Sequence, residues 1–152
     1  MITVGSEAPD FELPDTEGGK TKLSDFRGKK NVLLTFFPAA FSGNCEAEFC
    51  RLRDENADLV SSDHLEVIGI SIDQPFALKA WKQQQSFPNR FVADFWPHGK
   101  VAEAYGVLGE RGLAKRQAFL IDREGIVRFV DENPTGAQRD QAQWRKAADE
   151  IA

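Results

Sequence analysis

Cysteine is scarce in this sequence: two in 152 residues, alongside two histidines, one methionine and one tyrosine. The cysteines are Cys45 and Cys50, while His64 and His98 stand alone elsewhere. A C-x-x-x-x-C pair with distant single histidines is not a zinc spacing, so no metal site is expected. Basic clusters are missing too. Arg27, Lys29 and Lys30 form too short a run, and the net charge is −5 with a pI of about 5.1. Nucleic acid is therefore not an expected partner. No apolar stretch approaches the length of a membrane span. Met1 to Glu7 has neither the basic start nor the apolar run of a signal peptide. These absences lead to the expectation of a cytoplasmic protein without a membrane partner. Two cysteines in such a compartment are more often catalytic, redox-active or buried than structurally bridged.

What is present is the composition of an ordinary globular chain, 41% hydrophobic and 28% charged. There is no internal repeat, low-complexity tract or linker, so residues 1–152 read as a single domain. Turn residues Pro9, Pro14-Asp15 and Gly18-Gly19 punctuate short apolar pieces and predict a small N-terminal hairpin. Residues 31–37 form a continuous apolar run, the mark of a strand buried on both faces. Apolar residues then recur at helical spacing from about Gly43 to Val60, through Cys45, Phe49, Leu52 and Leu59. A second buried strand spans 65–73 and a helix opens at Pro75 and runs to about Ser86. A short strand is expected at 91–93 and a short helix at 99–105. Strands at 117–121 and 126–130 are joined by Asp122 to Gly125, a link so short that they must be antiparallel neighbours. A helix over 139–151 closes the chain, with Trp144 on its apolar side, as Trp81 is in the helix that opens at Pro75. Strands joined through a helix are parallel, so the sheet is mixed. The expected class is α/β, a thioredoxin-like fold with a mixed central sheet flanked by helices and an added N-terminal β-hairpin.

The stretch Phe36 to Cys50 carries the chemistry. A strand ends at Pro38, a loop of small and hydroxyl residues follows, and a helix begins beside Cys45, with Ser42 near its N-cap. A cysteine in the first turn of a helix meets unpaired N–H groups and the positive end of the dipole, which favour a nucleophilic thiolate.

The run P-A-A-F-S-G-N-C from Pro38 to Cys45 resembles the peroxiredoxin active-site pattern P-x-x-x-(T/S)-x-x-C. The likeness extends over G-S-E-A-P-D-F-E-L near the start, N-V-L-L-T-F-F, D-F-W-P-H-G at 94–99, A-Y-G-V at 104–107 and R-D-Q at 139–141. These segments are similar to the alkyl hydroperoxide reductase E-type peroxiredoxins. The resemblance implies a thiol peroxidase without a cofactor, acting on hydrogen peroxide or organic hydroperoxides. Cys45 would be the peroxidatic nucleophile, shielded by Pro38, with Ser42 bonding the peroxide. Arg116, directly before a strand, matches the arginine that the family brings from the second half of the fold. Glu48, one helical turn after Cys45, would orient Arg116; as a residue it equally suits a solvated helix carboxylate.

Cys50 departs from the E-type pattern. A cysteine at plus five resembles the Q-type, bacterioferritin-comigratory peroxiredoxins, where it resolves the sulfenic acid. In an intact helix, residues five apart have Cα atoms about 8.6 Å apart and point about 140° apart, whereas a disulfide needs Cα atoms within about 7 Å. A Cys45–Cys50 disulfide therefore requires the helix to unwind. Otherwise Cys50 fills space, and a thioredoxin-like protein or a low-molecular-weight thiol resolves Cys45. The family also implies a homodimer.

Two other functions compete. A thiol-disulfide oxidoreductase on this fold relies on C-x-x-C and a proline before the facing strand, where this chain has C-x-x-x-x-C and Lys115-Arg116. A redox sensor with poor turnover shares the first chemical step. Weaker site candidates are Phe95 and Trp96, for a peroxide pocket, a dimer contact or the core; Phe41, for an interface or pocket; and Arg139, for a second arginine or a surface ion pair. His64 is expected to be exposed, and His98 to lie in a loop.

Overall fold

Asp15 explains why the N-terminal segment turns back on itself. Its Oδ1 accepts the N–H groups of Glu17 and Gly19 at 2.9 and 3.2 Å. That turn pairs β1 (Glu12–Pro14) with β2 (Lys20–Lys22) as an antiparallel hairpin, and a 3-10 turn at Leu23–Phe26 follows. The structure is a computed structural model that describes residues 2–132 and 140–152.

The apolar run becomes β3 (Asn31–Phe36), every residue of which is buried. It is the middle strand of the main sheet, as burial on both faces requires. After it come α1 (Gly43–Glu55), α2 (Ala57–Val60), β4 (Leu65–Ser71), α3 (Pro75–Gln85) and β5 (Arg90–Ala93). The chain then forms α4 (Lys100–Ala104), β6 (Gln117–Ile121), β7 (Val127–Glu132) and α5 (Gln141–Ile151). The strand order is β5-β4-β3-β6-β7. β4 and β5 run parallel to β3, whereas β6 and β7 add as antiparallel strands. The mixed, thioredoxin-like sheet expected from the sequence is what forms.

Alternation along the strands divides the core. Leu33, Val67, Phe91, Ala118 and Leu120 point to the face covered by α1, α2, α3 and α5. Val32, Leu34, Phe36, Ile68, Ile70 and Phe119 point to the other, covered by the hairpin, α4 and the segment from Tyr105 to Ala114. Trp81 and Trp144 are fully buried on the first face. There Phe37, Phe49, Trp81, Phe87 and Phe91 form an aromatic cluster, with ring centroids as close as 4.9 Å for Trp81 and Phe87. Gly69 makes that packing possible, because a Cβ there would lie 2.6 Å from the Phe91 ring.

Two expected elements differ. The helix predicted over 43–60 is interrupted at Asn56, whose backbone leaves helical geometry (φ −130, ψ 35). Its amide is drawn sideways instead, donating to Gln141 at 2.7 Å and accepting from Arg145 at 2.8 Å. The strand predicted to reach residue 73 stops at Ser71, where Ser71 and Asp73 bond to each other through their side chains. Among the described residues, no helix is long and apolar enough to cross a membrane.

Candidate active site

Register places three separate pieces of chain at one end of the sheet. Phe36, the last residue of β3, pairs with Ile70 of β4 and with Gln117 of β6. The loop leaving β3, the residues following β4 and the residue preceding β6 therefore converge. Those are the Pro38–Ser42 loop, Asp73 and Arg116.

Pro38 is half-buried where the strand stops; its fixed φ and missing N–H suit that position. Asp73 holds the loop from below. Its Oδ2 accepts the Ala40 N–H at 2.8 Å and the Ser71 hydroxyl at 2.6 Å. Ser42 occupies the N-cap of α1 as expected, but its side chain makes no capping bond. Its hydroxyl instead donates to the Ala39 carbonyl at 2.9 Å. A hydroxyl has one proton, so what Ser42 retains for a ligand is its lone pairs.

Cys45 is the third residue of α1 and is fully buried. Arg116 Nη2 donates to its Sγ at 3.2 Å, and Arg116 Nη1 lies 3.8 Å from Glu48 Oε2. Glu48 is wholly buried and Arg116 only 8% exposed, which rules out a solvated role for Glu48. A buried guanidinium aimed at sulfur favours attack by its anionic form. Among the described residues, Arg116 Nε and Nη1 make no hydrogen bond, so donors remain beside the sulfur for an incoming oxygen.

The structure thus brings Cys45, Arg116 and Glu48 together and sets Ser42 and Pro38 in the loop leading to them. Cys50 is not brought to Cys45. Both are free thiols, and α1 is continuous through both, so helix geometry keeps them apart. Cys50 is half-buried against the edge of the core. Arg53, one turn beyond, is a neighbour that the sequence did not single out. Its guanidinium binds Asp54 first and also interacts with the Cys50 sulfur, which together push its pKa up. Asp73 was likewise missed, since nothing in the local pattern announces a carboxylate that reaches back 33 residues to a loop N–H.

Among the weaker candidates, Phe41 is 52% exposed and sits at φ 67, a region that bulky residues rarely adopt. Trp96 is 69% exposed and Phe95 36%, so neither is core. Trp96 lines a cleft of about 330 Å³ with Phe11, Leu13 and Lys100, which includes no residue of the Cys45 site. His64 is exposed beside Arg123, and His98 is exposed in a loop. Arg139 lies outside the described residues. Among the described residues, no three His, Cys, Asp or Glu side chains gather to hold a metal ion.

Comparison with known proteins shows the family. The AhpC/TSA family model matches residues 4–130. The chain is 43% identical over 148 residues to alkyl hydroperoxide reductase E of Mycobacterium tuberculosis, covering 97% of this chain and 96% of that protein. It is 33% identical over 136 residues to peroxiredoxin Bcp of Escherichia coli, covering 85% of each. Among solved structures, the reduced 2-Cys peroxiredoxin of Plasmodium vivax superposes with a TM-score of 0.84 at 28% identity, covering 97% of this chain and 95% of that one. Matched over residues 4–130 and 43% identical to a relative across nearly its whole length, the chain belongs to the AhpC/TSA family of peroxiredoxins, which are thiol-dependent peroxidases.

Proposed function

We propose that Cys45 is the peroxidatic cysteine and that Cys50 resolves it. The Cys45 sulfur attacks one oxygen of hydrogen peroxide or an organic hydroperoxide. A sulfur–oxygen bond forms, the O–O bond breaks, and the other oxygen leaves as water or an alcohol after taking up a proton. Charge moves from sulfur to the departing oxygen, so donors fixed beside that path stabilise the transition state more than the ground state. Arg116 supplies them, Glu48 orients Arg116, Ser42 accepts a hydrogen bond from the peroxide hydroxyl through its lone pairs, and Pro38 limits access to the sulfur. The observation that carries this reading is the 3.2 Å contact from Arg116 Nη2 to Cys45 Sγ inside the P-x-x-x-S-x-x-C loop.

The product is a sulfenic acid on Cys45. The Cys50 sulfur then attacks the Cys45 sulfur; a disulfide forms, the S–O bond breaks and water leaves. A thioredoxin-like dithiol or a low-molecular-weight thiol returns the enzyme to its reduced state. Two free thiols suit a reducing cytoplasm, and the exposed Phe41 suits a homodimer contact. A second reading is favoured by the unbroken helix from Cys45 to Cys50: resolution by an external thiol, or a sensor that turns over poorly.

Intact-mass spectrometry after one equivalent of peroxide tests the scheme. Wild type should lose two hydrogens, and Cys50→Ser should accumulate a trappable sulfenate. A persistent sulfenate in both proteins would refute resolution by Cys50, and negligible peroxide consumption with excess reductant would identify a sensor.

A further inference from the structure

Gln141, the first residue of α5, is a buried amide with both ends committed to another part of the chain. It is only 1% exposed. Its Nε2 donates to the main-chain carbonyl of Glu48 at 2.8 Å, and its Oε1 accepts from Asn56 Nδ2 at 2.7 Å. Asp140 fixes the turn from which Gln141 projects, accepting the Ala142 N–H at 3.0 Å. One helical turn on, Arg145 reinforces the far end, donating to Asn56 Oδ1 and to both oxygens of Asp58. α5 therefore grips α1 at its middle and just beyond its last residue.

The point of attachment gives the contact its meaning. Glu48 lies between Cys45 and Cys50, in the stretch that must abandon helical geometry before the two sulfurs can meet. Its side chain also faces Arg116, which in turn contacts the Cys45 sulfur. We propose that Gln141 is a positioning residue that latches α1 in its wound form, favouring attack on peroxide and slowing resolution by Cys50. This rests on the reading of Cys50 as the resolving cysteine. Unwinding of residues 45–50 carries the Glu48 carbonyl away and strands the Gln141 Nε2 in the interior, and such orphaned buried donors are strongly disfavoured. The latch also sets exposure to damage. While α1 stays wound, the sulfenate faces further peroxide instead of Cys50, and a second equivalent adds an oxygen to give the sulfinic acid.

The two half-reactions should respond in opposite directions, which a general loss of stability would not produce. In Gln141→Met the latch is replaced by an apolar chain of similar length. We expect disulfide formation after one equivalent of hydrogen peroxide to quicken about five- to tenfold, the shift given by loss of one buried hydrogen bond. Cys45 oxidation should slow, the sulfinic acid formed under excess peroxide should fall, and amide exchange at residues 46–52 of the reduced protein should rise by a similar factor. Asn56→Asp keeps the acceptor for Arg145 and removes only the donor to Gln141; it should move the same quantities the same way by less. Exchange at 46–52 unchanged in both variants overturns the latch, as does a resolution rate equal to wild type. If no disulfide forms even in wild type, the role of Cys50 fails, and the exchange measurement alone then supports or refutes the latch.

Discussion

Arg116→Met removes the guanidinium that touches both Cys45 and Glu48, and it affects folding and chemistry by different amounts. Two unit charges 3.8 Å apart interact by about 4 kcal/mol at the effective dielectric that describes protein sites. Removing one partner of a buried pair costs about 3–5 kcal/mol, because the other is left as an uncompensated buried charge. In a chain of this length that is a fall in Tm of roughly 10 °C. The chemical loss is separate. Taking away one fixed donor from a transition-state oxygen lowers rates by about 10²- to 10³-fold. The double variant Glu48→Gln/Arg116→Met distinguishes the two, because neutral groups of similar shape can replace a buried pair at little net loss. It should regain most of the Tm and none of the peroxidase activity. The assays are thermal melting and kcat/KM for hydrogen peroxide, measured well below the lowest melting point. Recovery of activity to within about tenfold of wild type in the double variant would show that Arg116 supports only the fold. A Tm unchanged in Arg116→Met would show that the pair with Glu48 contributes nothing.

Asp73→Ala releases the Ala40 N–H and the Ser71 hydroxyl; the loosened loop should lower kcat/KM for peroxide about tenfold or more, and an unchanged value would remove Asp73 from the site. Gly69→Ala puts a methyl 2.6 Å from the Phe91 ring and 3.0 Å from Phe49, so urea unfolding should show a loss of about 1–3 kcal/mol from overpacking. Asp58 is held down at a pKa of about 2 by the hydrogen bond from Arg145, below its ordinary 3.8. A carboxylate with a depressed folded pKa adds stability above its unfolded pKa and loses it as pH falls through the folded one. The difference between wild type and Asp58→Asn in acid unfolding should therefore shrink from pH 3.8 down to about 2, and it should shrink at all pH values in high salt because the pair is exposed.

Local pattern was enough for much of this. The apolar run at 31–37 announced a strand covered on both faces, and the helix start beside Cys45, with the resemblance of the Pro38–Cys45 run to the peroxiredoxin pattern, pointed to the proposed nucleophile. Arg116 could be placed only through the resemblance, by its position directly before a strand; antiparallel pairing of that strand with β3 is what brings it to the Cys45 end of the sheet. Glu48 was ambiguous because a carboxylate on a helix has the same sequence whether it faces water or a buried cation; only the path of β6 decides. Ser42 showed the right position and the wrong bond, since an N-cap preference fixes where a hydroxyl stands but not which backbone group it meets. Asn56 was hidden by periodicity, for Leu59 keeps the apolar register across the break. Its partners, Gln141 and Arg145, lie 85 and 89 residues away, and such pairings leave no trace in a local window.

If Cys45 is the peroxidatic cysteine, its burial supplies a reason for the helix to open only after it has reacted. In the reduced protein, unwinding residues 45–50 would pull Phe49, which is fully buried, out of the aromatic cluster. Exposing one such ring costs about 1.5–3 kcal/mol, so it alone keeps the open form to about a tenth or less, at about tenfold for each 1.4 kcal/mol. Peroxide would then add an oxygen to a sulfur that has no exposed surface and already contacts Arg116 at 3.2 Å. Overpacking of that kind disfavours the closed form by about 1–3 kcal/mol, comparable to what Phe49 holds. If Cys50 resolves Cys45, oxidation would thus offset what Phe49 contributes and leave the Gln141 contact with the Glu48 carbonyl as the remaining hold on the wound helix. In Cys50→Ser, where the sulfenate should persist, amide exchange at residues 46–52 should accelerate about fivefold or more over the reduced protein. Equal exchange in the two states would mean that the oxygen fits without displacing the helix, and that the opening has to be driven from elsewhere, for instance by a reductant docking at the loop.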